Sequence, residues 1–271
     1  MRKFFLGAIF LLLSAPSTSA HDAWIEIDSK NSDMMDTVLS VRIGHAEDQN
    51  FYALRAEHVS AMRISSESGS SSFLGEVISG RQARQIELKN TLNSNQIASI
   101  STFRAYSSLE SNAFNDYVTH EGITPIELDR ITSRTVESDG REVYSRHLKA
   151  FLPGSSLSCE LQGADEPTGL VLEIIPEATP LAECSSTLAL RVEFLGVPLQ
   201  GATLKLIRTD EHAEEIRQET DEEGRAEFEM PREGRWYVHT AWAQPVSDAQ
   251  YRADYATYFS SFSFNPDPAH N

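Results

Sequence analysis

Four histidines of this chain have positions and neighbours that suit a metal ion: His21, His45, His147 and His239. A neutral imidazole is the commonest nitrogen ligand in proteins, and it suits copper, nickel and other first-row transition metals. The sequence therefore predicts a site for one divalent transition metal, nickel or copper, that contains His21. His45 and His147 are the favoured second ligands, and His239 is a further candidate.

His21 stands out because of the segment before it. Residues 1–20 begin with basic side chains, continue with an apolar run from Phe4 to Leu13 and end in a small, polar stretch at Ala20. This is the layout of a cleavable secretion signal, and the apolar run is too short to span a bilayer. We therefore expect export to the periplasm, removal of residues 1–20 and no membrane insertion of the remaining chain.

A histidine at the start of a mature chain offers two donors on one residue. The α-amino group of His21, with an ordinary pKa of about 7.7 to 8.0, and its imidazole Nδ1 can chelate the same ion near neutral pH. Asp22 and Glu26 follow closely and can add carboxylate oxygens. The alternative is that His21 only begins an edge strand and that the other three are ordinary loop or strand histidines. The remaining histidines are predicted to lie on the surface: His58, His120, His212 and His270.

The two cysteines, Cys159 and Cys184, predict one disulfide. In an exported chain the oxidising compartment makes pairing the default. The 24 intervening residues and the lack of a CxxC spacing disfavour a soft-metal pair. Two free thiols are the other alternative.

The charge balance disfavours some classes of partner. The chain has 40 acidic and 23 basic residues, a formal charge of −17, and loss of Arg2 and Lys3 with the signal leaves 40 against 21, or −19. Such a surface repels nucleic acid, and stripes of basic and aromatic residues are missing as well. It attracts cations, although a need for solubility explains it equally well.

Sequence signatures of catalysis are missing. The chain has no GxSxG, no HExxH, no phosphate-binding loop and no Gly-rich dinucleotide turn. We therefore expect a protein that is not an enzyme and has no catalytic residues. The one enzymatic alternative is a copper monooxygenase with a histidine brace, since such enzymes also begin with histidine on a β-sandwich.

The first half of the chain predicts a β-sandwich. From Ala23 to about Ser108, short segments of alternating apolar and polar residues are separated by Ser, Gly, Asn or Asp clusters, which is typical of antiparallel strands and turns. The Ser-rich residues 65–72 are expected to form a flexible hairpin loop, and residues 98–106 a single strand. Between about Leu109 and Thr135 the period changes, and two short helices are expected.

A second β-sandwich is predicted beyond a polar linker around 161–169. About seven short strands spaced by turns follow, the rhythm of an immunoglobulin-like or transthyretin-like sandwich. The chain is therefore predicted to be all-β, with a signal peptide at 1–20, an N-terminal β-sandwich domain with the helical insertion at 21–160, and a C-terminal immunoglobulin-like domain at 166–265.

Several segments in this order resemble a known family. They are HDAWIE, NDYVTHEGI, VYSRHLKAFL, LVLEIIP, VPLQGATLKLIRT, TDEEGRAEF and GRWYVHTAW, and they span nearly the whole chain beyond residue 20. The chain resembles the NikM-like family of exported bacterial domains of unknown function, associated with the periplasmic part of a nickel uptake system. This resemblance implies a two-part β fold and a metal role. In the last segment, His239 and Trp242 stand in a different arrangement from the family's.

Two classes of function follow from these observations. The first is a periplasmic protein that binds nickel, copper or cobalt, as an accessory to metal uptake or handling, and passes the ion to an inner-membrane metal transporter. The second is a structural or adhesive module whose sandwiches bind a protein or a glycan without metal. The positions of the histidines distinguish the two classes. A metal-binding protein requires some of them to lie close together, whereas a module that binds a protein or a glycan does not.

Overall fold

The structure, a computed structural model, describes residues 22–29, 36–44, 49–55, 57–75, 85–89, 94–154, 158–210, 214–246 and 252–268. Within these ranges no helix is long and apolar enough to span a bilayer. The expected signal at 1–20 lies outside the described residues, as do His21, His45, His212 and His270.

The alternating segments of the first half form strands. Their side chains point to opposite faces in turn, so that one apolar set per strand reaches a core. In chain order these strands are β1 (Asp22–Ser29), β2 (Asp36–Gly44), β3 (Asn50–Tyr52), β4 (Val59–Ser66), β5 (Gly69–Ser72), β6 (Ile86–Lys89), β7 (Gln96–Thr102) and β8 (Ala105–Leu109).

Two helices and a long strand follow, and then the second run of strands. The helices are α1 (Ser111–Glu121) and α2 (Thr124–Thr132), which confirms the helical segment expected between 109 and 135. The remaining strands are β9 (Gly140–Leu152), β10 (Leu172–Pro176), β11 (Thr187–Phe194), β12 (Val197–Pro198), β13 (Thr203–Arg208), β14 (Glu215–Glu219), β15 (Arg225–Glu229), β16 (Trp236–Pro245) and β17 (Tyr255–Phe264).

A nine-stranded central sheet runs through the molecule. Its order is β14-β13-β16-β17-β9-β7-β4-β5, and β8 pairs with β9 beside β7. The pairing of β17 with β9 is parallel and joins strands from the two halves of the chain. Two smaller sheets, each of four strands, are formed by β1, β2, β3 and β6 and by β10, β11, β12 and β15.

The two small sheets pack on opposite faces of the central sheet. Along β9, Val143 and Phe151 belong to the core formed with the sheet of β10, whereas Leu148, Ala150 and Leu152 belong to the core formed with the sheet of β1. The odd and even residues of a strand point to opposite faces, so the two cores lie on opposite sides of β9. The prediction of an all-β chain with two β-sandwiches is confirmed. The boundary predicted between 160 and 166 stays a prediction, and the central sheet is continuous across it.

The helices cover the same face of the central sheet as the sheet of β1. Phe114, Val118, Ile123 and Ile126 form a core with alanine and aromatic side chains of β16 and β17. At Gly140, the first residue of β9, a Cβ atom would lie 2.1 Å from the Phe114 ring. The approach of α1 to the sheet therefore depends on glycine at this position.

A buried ion pair and a disulfide hold the segment between β9 and β10. Lys149 Nζ lies 2.8 Å from Glu173 Oε1, and both side chains are buried. Glu173 also accepts hydrogen bonds from the backbone N–H groups of three linker residues, Thr168, Gly169 and Leu170. The predicted disulfide between Cys159 and Cys184 is present, with the Cα atoms 5.3 Å apart.

Two local expectations are corrected. The Ser-rich residues 65–72 are not a loop, because β4 continues to Ser66 and pairs with β5 across a two-residue turn. The single strand expected over 98–106 is two strands, β7 and β8, with residues 103–104 between them. Residues 65–72 have the composition of a turn, and residues 98–106 alternate without a break. Neither local pattern shows which strands pair with one another.

Candidate metal centre

Three ligand-type side chains from distant parts of the chain meet on the helix-covered face of the central sheet. They are Asp22, the first residue of β1; Glu121, the last residue of α1; and His239 in β16. Each offers one donor atom, these atoms all lie within 4.8 Å of one another, and all three residues are buried. We call these three residues the carboxylate–histidine cluster.

Asp22 is fixed by an aromatic contact next to it in β1. The Trp24 ring stacks on the Tyr237 ring of β16, with centroids 4.5 Å apart and planes 4° from parallel. Tyr237 Oη then donates a hydrogen bond to Asp22 Oδ2 at 2.9 Å. Burial, and next the negative charge of Asp22, raise the pKa of Tyr237 well above its usual value, so this phenol remains a donor. The contact holds Asp22 over β16 and leaves Oδ1 facing the cluster.

Glu121 is placed by the way α1 ends. Gly122 has a φ of 68°, and the N–H groups of Gly122 and Ile123 bond to the carbonyls of Thr119 and Val118, which is the Schellman arrangement. A Cβ atom at Gly122 would lie 2.8 Å from the Thr203 Cβ of β13. Glycine at this position therefore allows both the left-handed conformation and the close approach that bring Glu121 onto the sheet.

His239 lies between β13 and β17 in the centre of the sheet. Lys205 of β13 is its partner in register, and Ser261 of β17 is its partner on the other side. The imidazole stacks on Phe259, with ring centroids 6.1 Å apart. The ring is 1% exposed, so its orientation is set by packing rather than by solvent.

The charges of the cluster are partly balanced by one lysine. Lys205 Nζ lies 2.9 Å from Glu121 Oε2, and His239 Nε2 lies 3.0 Å from the same oxygen and 3.4 Å from Asp22 Oδ1. Burial alone would raise the pKa of Glu121, but the hydrogen bonds and charges of His239 and Lys205 outweigh it and hold that pKa well below its usual range. Glu121 is therefore an anion at any pH near neutrality, and its Oε2 atom lies between the Lys205 ammonium group and the His239 imidazole.

One nitrogen of the cluster is left without a hydrogen bond. His239 Nδ1 is buried and has no hydrogen-bond partner among the described residues, and the same holds for Ser261 Oγ. A buried polar atom of this kind costs free energy, and native proteins carry few of them. The site therefore retains hydrogen-bonding capacity that the described residues do not use.

The sequence matches the model of one protein family over most of its length. The model of a domain of unknown function, DUF4198, matches residues 18–244. The chain belongs to the DUF4198 family. No curated protein matches this DUF4198 chain.

Solved structures add nothing to that assignment. Intimin D0-D1 is 12% identical over 90% of this chain and 97% of its own, with a TM-score of 0.22. A tetra-tandem repeat from the extending region of a large adhesion protein is 8% identical over 91% of this chain and 50% of its own, with a TM-score of 0.21. Similarities this weak support no inference about the DUF4198 protein.

The structure describes only some of the predicted ligands of this DUF4198 protein. His239 and Asp22 lie in the cluster, whereas His21 and His45 lie outside the described residues. Glu26 is bound by Arg42 and by Arg235, whose Nη1 lies 3.0 Å from Glu26 Oε1. Its carboxylate is therefore paired with two arginines, and Glu26 is not in the cluster.

His147 lies on the opposite face of the central sheet from His239. It shares the odd-numbered face of β9 with Val143 and Phe151, and its nitrogens contact the hydroxyls of Ser145 and Ser101 at 3.1 and 3.5 Å. Burial lowers the pKa of His147 to about 4. In the described ranges the carboxylate–histidine cluster is the one group of three or more ligand-type side chains, and His147 is not in it. Of the predicted surface histidines, His58 and His120 are exposed as expected.

Glu121 and Lys205 were not expected from the sequence. A Glu-Gly pair at the end of a helical pattern signals a helix terminus, and Glu121-Gly122 carries that signal. A lysine within an apolar strand, as at Lys205, signals a buried partner. Neither signal shows which helix or strand packs against Glu121 or Lys205.

Proposed function

We propose that this protein binds one divalent transition metal at Asp22, Glu121 and His239. The observation that carries the proposal is the convergence of one imidazole and two carboxylates, from three separate elements, in a buried space. A group built from β1, α1 and β16 requires the whole fold to be in place.

Two separations within the cluster, those from His239 Nε2 to the two carboxylates, fit a metal ion. Imidazole nitrogen and carboxylate oxygen bind such ions at about 2.1 Å, so two ligands at about 90° to 110° lie about 3.0 to 3.4 Å apart. His239 Nε2 lies 3.0 Å from Glu121 Oε2 and 3.4 Å from Asp22 Oδ1. A hydrogen-bonded proton fits the same separations, so protons compete with the metal and binding weakens as the pH falls.

His21 completes the proposed ligand set. It is joined to Asp22 by a peptide bond, so it is the chain neighbour of a cluster residue. If export removes residues 1–20, the α-amino group and imidazole of His21 add two nitrogens to one imidazole and two carboxylates. Such a mixed set suits nickel, copper or cobalt, and copper binds most tightly to it by the general order of divalent metals.

The cellular role we propose is accessory to metal uptake or handling in the periplasm. The resemblance of the chain to NikM-like domains supports this role, and the acidic surface, with 40 acidic against 23 basic residues, attracts cations. An inner-membrane metal transporter is the partner that this role requires. Lys205 limits the affinity through its positive charge, which suits a protein that must release its ion.

Calorimetry on metal-free protein purified from the periplasm tests the proposal. Intact mass first establishes whether the chain begins at His21. Titration with Ni(II), Cu(II) and Co(II) should give one site, and His239→Gln should lower the affinity at least tenfold. An added N-terminal glycine, which converts the amine of His21 to an amide, should also weaken binding.

His147→Gln is the matched control, since His147 is a buried histidine on the opposite face of the sheet. It should leave the affinity unchanged. Equal binding by His239→Gln and the parent protein would reject the cluster as the site, and equal binding by the glycine-extended form would reject only the role of His21. If no metal binds, the cluster is a structural ion-pair network and the function belongs to the second class, a module that binds a protein or a glycan.

A further inference from the structure

A second candidate site lies on the opposite face of the central sheet from the carboxylate–histidine cluster. A cavity of about 370 Å³ is found there, within the range of about 300–1,000 Å³ that is usual for small-molecule sites. Strands β4, β7, β9 and β17 contribute its floor, and the segment just before β10 contributes a wall. Six neutral hydrogen-bonding side chains line it: Ser60, Ser99, Ser101, Thr102, Ser145 and His147.

The register of the strands brings the polar side chains of the floor together. Ser101 is the cross-strand partner of His147, and Ser99 is that of Lys149. Partners in register point to the same face of a sheet. Ser99 and Ser101 of β7 therefore lie on the face of β9 that carries Ser145 and His147, and neighbouring strands form one polar surface.

His147 is a neutral group within this floor. The residue is 4% exposed, and burial lowers its pKa to about 4, so it carries no charge near neutral pH. Its Nε2 and Nδ1 atoms lie 3.1 Å from Ser145 Oγ and 3.5 Å from Ser101 Oγ. A serine hydroxyl has one donor and two acceptor positions, and the contact with the imidazole uses only one of them. Both hydroxyls therefore keep hydrogen-bonding capacity for a ligand.

Ser99 offers a hydroxyl that the protein leaves unpaired. The residue is 4% exposed and lines the cavity, and its hydroxyl makes no hydrogen bond to another described residue. A buried hydroxyl without a partner costs free energy, which a water molecule or a ligand recovers by binding it. Ser60 of β4 adds a half-buried hydroxyl to the same cavity.

The buried part of the lining is uncharged. Its two charged side chains, Arg63 and Arg104, are exposed, and Arg104 Nη2 donates a hydrogen bond to Tyr258 Oη at 3.3 Å. Tyr258 is 7% exposed, and its ring stacks on the imidazole of His147 with centroids 6.3 Å apart. No carboxylate of the described residues lines the cavity. The lining therefore suits a neutral ligand with several hydroxyl groups better than a cation or an anion.

The wall of the cavity is held in place by the protein itself. It is formed by Gly169, Leu170 and Val171. The backbone N–H groups of Gly169 and Leu170 donate to Glu173, which is paired with Lys149. A segment that is already fixed loses little conformational freedom when a ligand binds, so less of the binding free energy is spent on ordering it.

We propose that this cavity binds one unit of a neutral sugar. A sugar ring presents several hydroxyl groups at once, and each can donate to or accept from the hydroxyls and the imidazole of the floor. Its C–H groups can pack on the Tyr258 ring and on Leu170. Free sugars and the ends of glycans share this chemistry. The site is separate from the carboxylate–histidine cluster, since none of Asp22, Glu121 and His239 lines the cavity.

Titration of the metal-free protein with N-acetylglucosamine, glucose and galactose, followed by NMR of the backbone amides, tests this site. At least one sugar should bind at least tenfold more tightly than cyclohexanol. Cyclohexanol has a ring of similar size with one hydroxyl, so it leaves buried polar groups of the site unpaired. Chitobiose, cellobiose and lactose distinguish the two sources. Tighter binding of a disaccharide indicates the end of a glycan, and equal or weaker binding indicates a free sugar.

Ser99→Ala removes one hydroxyl from the floor. It should lower the affinity for the sugar about three- to tenfold, the contribution of one neutral hydrogen bond. Ser40→Ala is the matched control, because Ser40 is 1% exposed, its hydroxyl also has no partner among the described residues, and it does not line the cavity. It should bind the sugar as the parent protein does. Ala61→Trp places a large ring at the cavity and should abolish binding.

Thermal unfolding shows whether each variant is folded. If Ala61→Trp does not fold, Ser101→Ala takes its place and should weaken binding by about the same factor as Ser99→Ala. The proposal is overturned if no sugar binds at millimolar concentration, if cyclohexanol binds as tightly as the sugars, or if Ser99→Ala and Ser101→Ala both bind as the parent protein does. None of these outcomes depends on metal binding.

Discussion

The charge of Lys205 is the single-residue feature that most affects the carboxylate–histidine cluster. Its ammonium group balances one carboxylate and is buried, as is that of Lys149 beside Glu173. Removing one member of a buried ion pair leaves an uncompensated charge and costs about 3–5 kcal/mol. Lys205→Met and Lys149→Met should therefore both lower the free energy of unfolding of the metal-free protein by about this amount, measured by denaturant unfolding.

Only one of these two variants should change metal binding. Lys205→Met removes a positive charge from the cluster, so Ni(II) or Cu(II) should bind it more tightly and should raise its stability more than that of the parent protein. Lys149→Met alters an ion pair on the other face of the sheet and should bind metal as the parent does. An equal response of the two variants to metal would contradict a metal site at Glu121.

His147 should make the stability of the protein depend on pH. Burial lowers its pKa from 6.5 to about 4 in the folded state, so between these values the unfolded chain takes up a proton that the folded chain does not. At about 1.4 kcal/mol per pKa unit, about 3 kcal/mol of stability is present above pH 6.5 and is lost as the pH falls to 4. His147→Gln should flatten the curve of unfolding free energy against pH in this window. If the slope is unchanged, another group causes it.

At the scale of secondary structure, the end of α1 determines the position of Glu121. Gly122→Ala places a residue with a Cβ atom in the left-handed conformation, which costs about 1–2 kcal/mol. The new Cβ atom would also collide with Thr203. Gly196 is a matched control, because its φ is 76° and a Cβ there has nothing within 4 Å. We expect Gly122→Ala to lose more stability than Gly196→Ala in denaturant unfolding, and to be alone in weakening metal binding. If the two variants lose similar amounts of stability and Gly122→Ala still binds metal as the parent does, α1 adjusts to the substitution without moving Glu121.

At the scale of the whole molecule, the disulfide fixes the segment that leads from the central sheet to the sheet of β10. Cys159 and Cys184 are 25 residues apart in sequence, and closing a loop of that length stabilises a fold by roughly 3 kcal/mol, chiefly through the unfolded chain. The double variant Cys159→Ser, Cys184→Ser should lose about this much free energy of unfolding while its metal affinity stays the same. Two reactive thiols per chain in the denatured, unreduced parent protein would show that the bond does not form.

The sequence by itself determined the local structure of this protein. Alternation along the strands, the change of period before residue 135 and the turn residues each depend on neighbours within a few positions, so they can be read from the chain. The disulfide follows from the presence of two cysteines in a chain whose first 20 residues predict export. The side-chain chemistry of Asp22 and His239 by itself makes them candidate metal ligands.

The tertiary structure decided which of these residues meet. Glu121 and His239 are separated by 118 residues, and their contact depends on the helix ending against β13, which no local pattern reports. The separation of His147 from His239 depends on which residues of two distant strands point to the same face, a matter of register across the central sheet. The placement of the two small sheets on opposite faces has the same origin, because alternation shows that a strand has two faces but not what covers each of them.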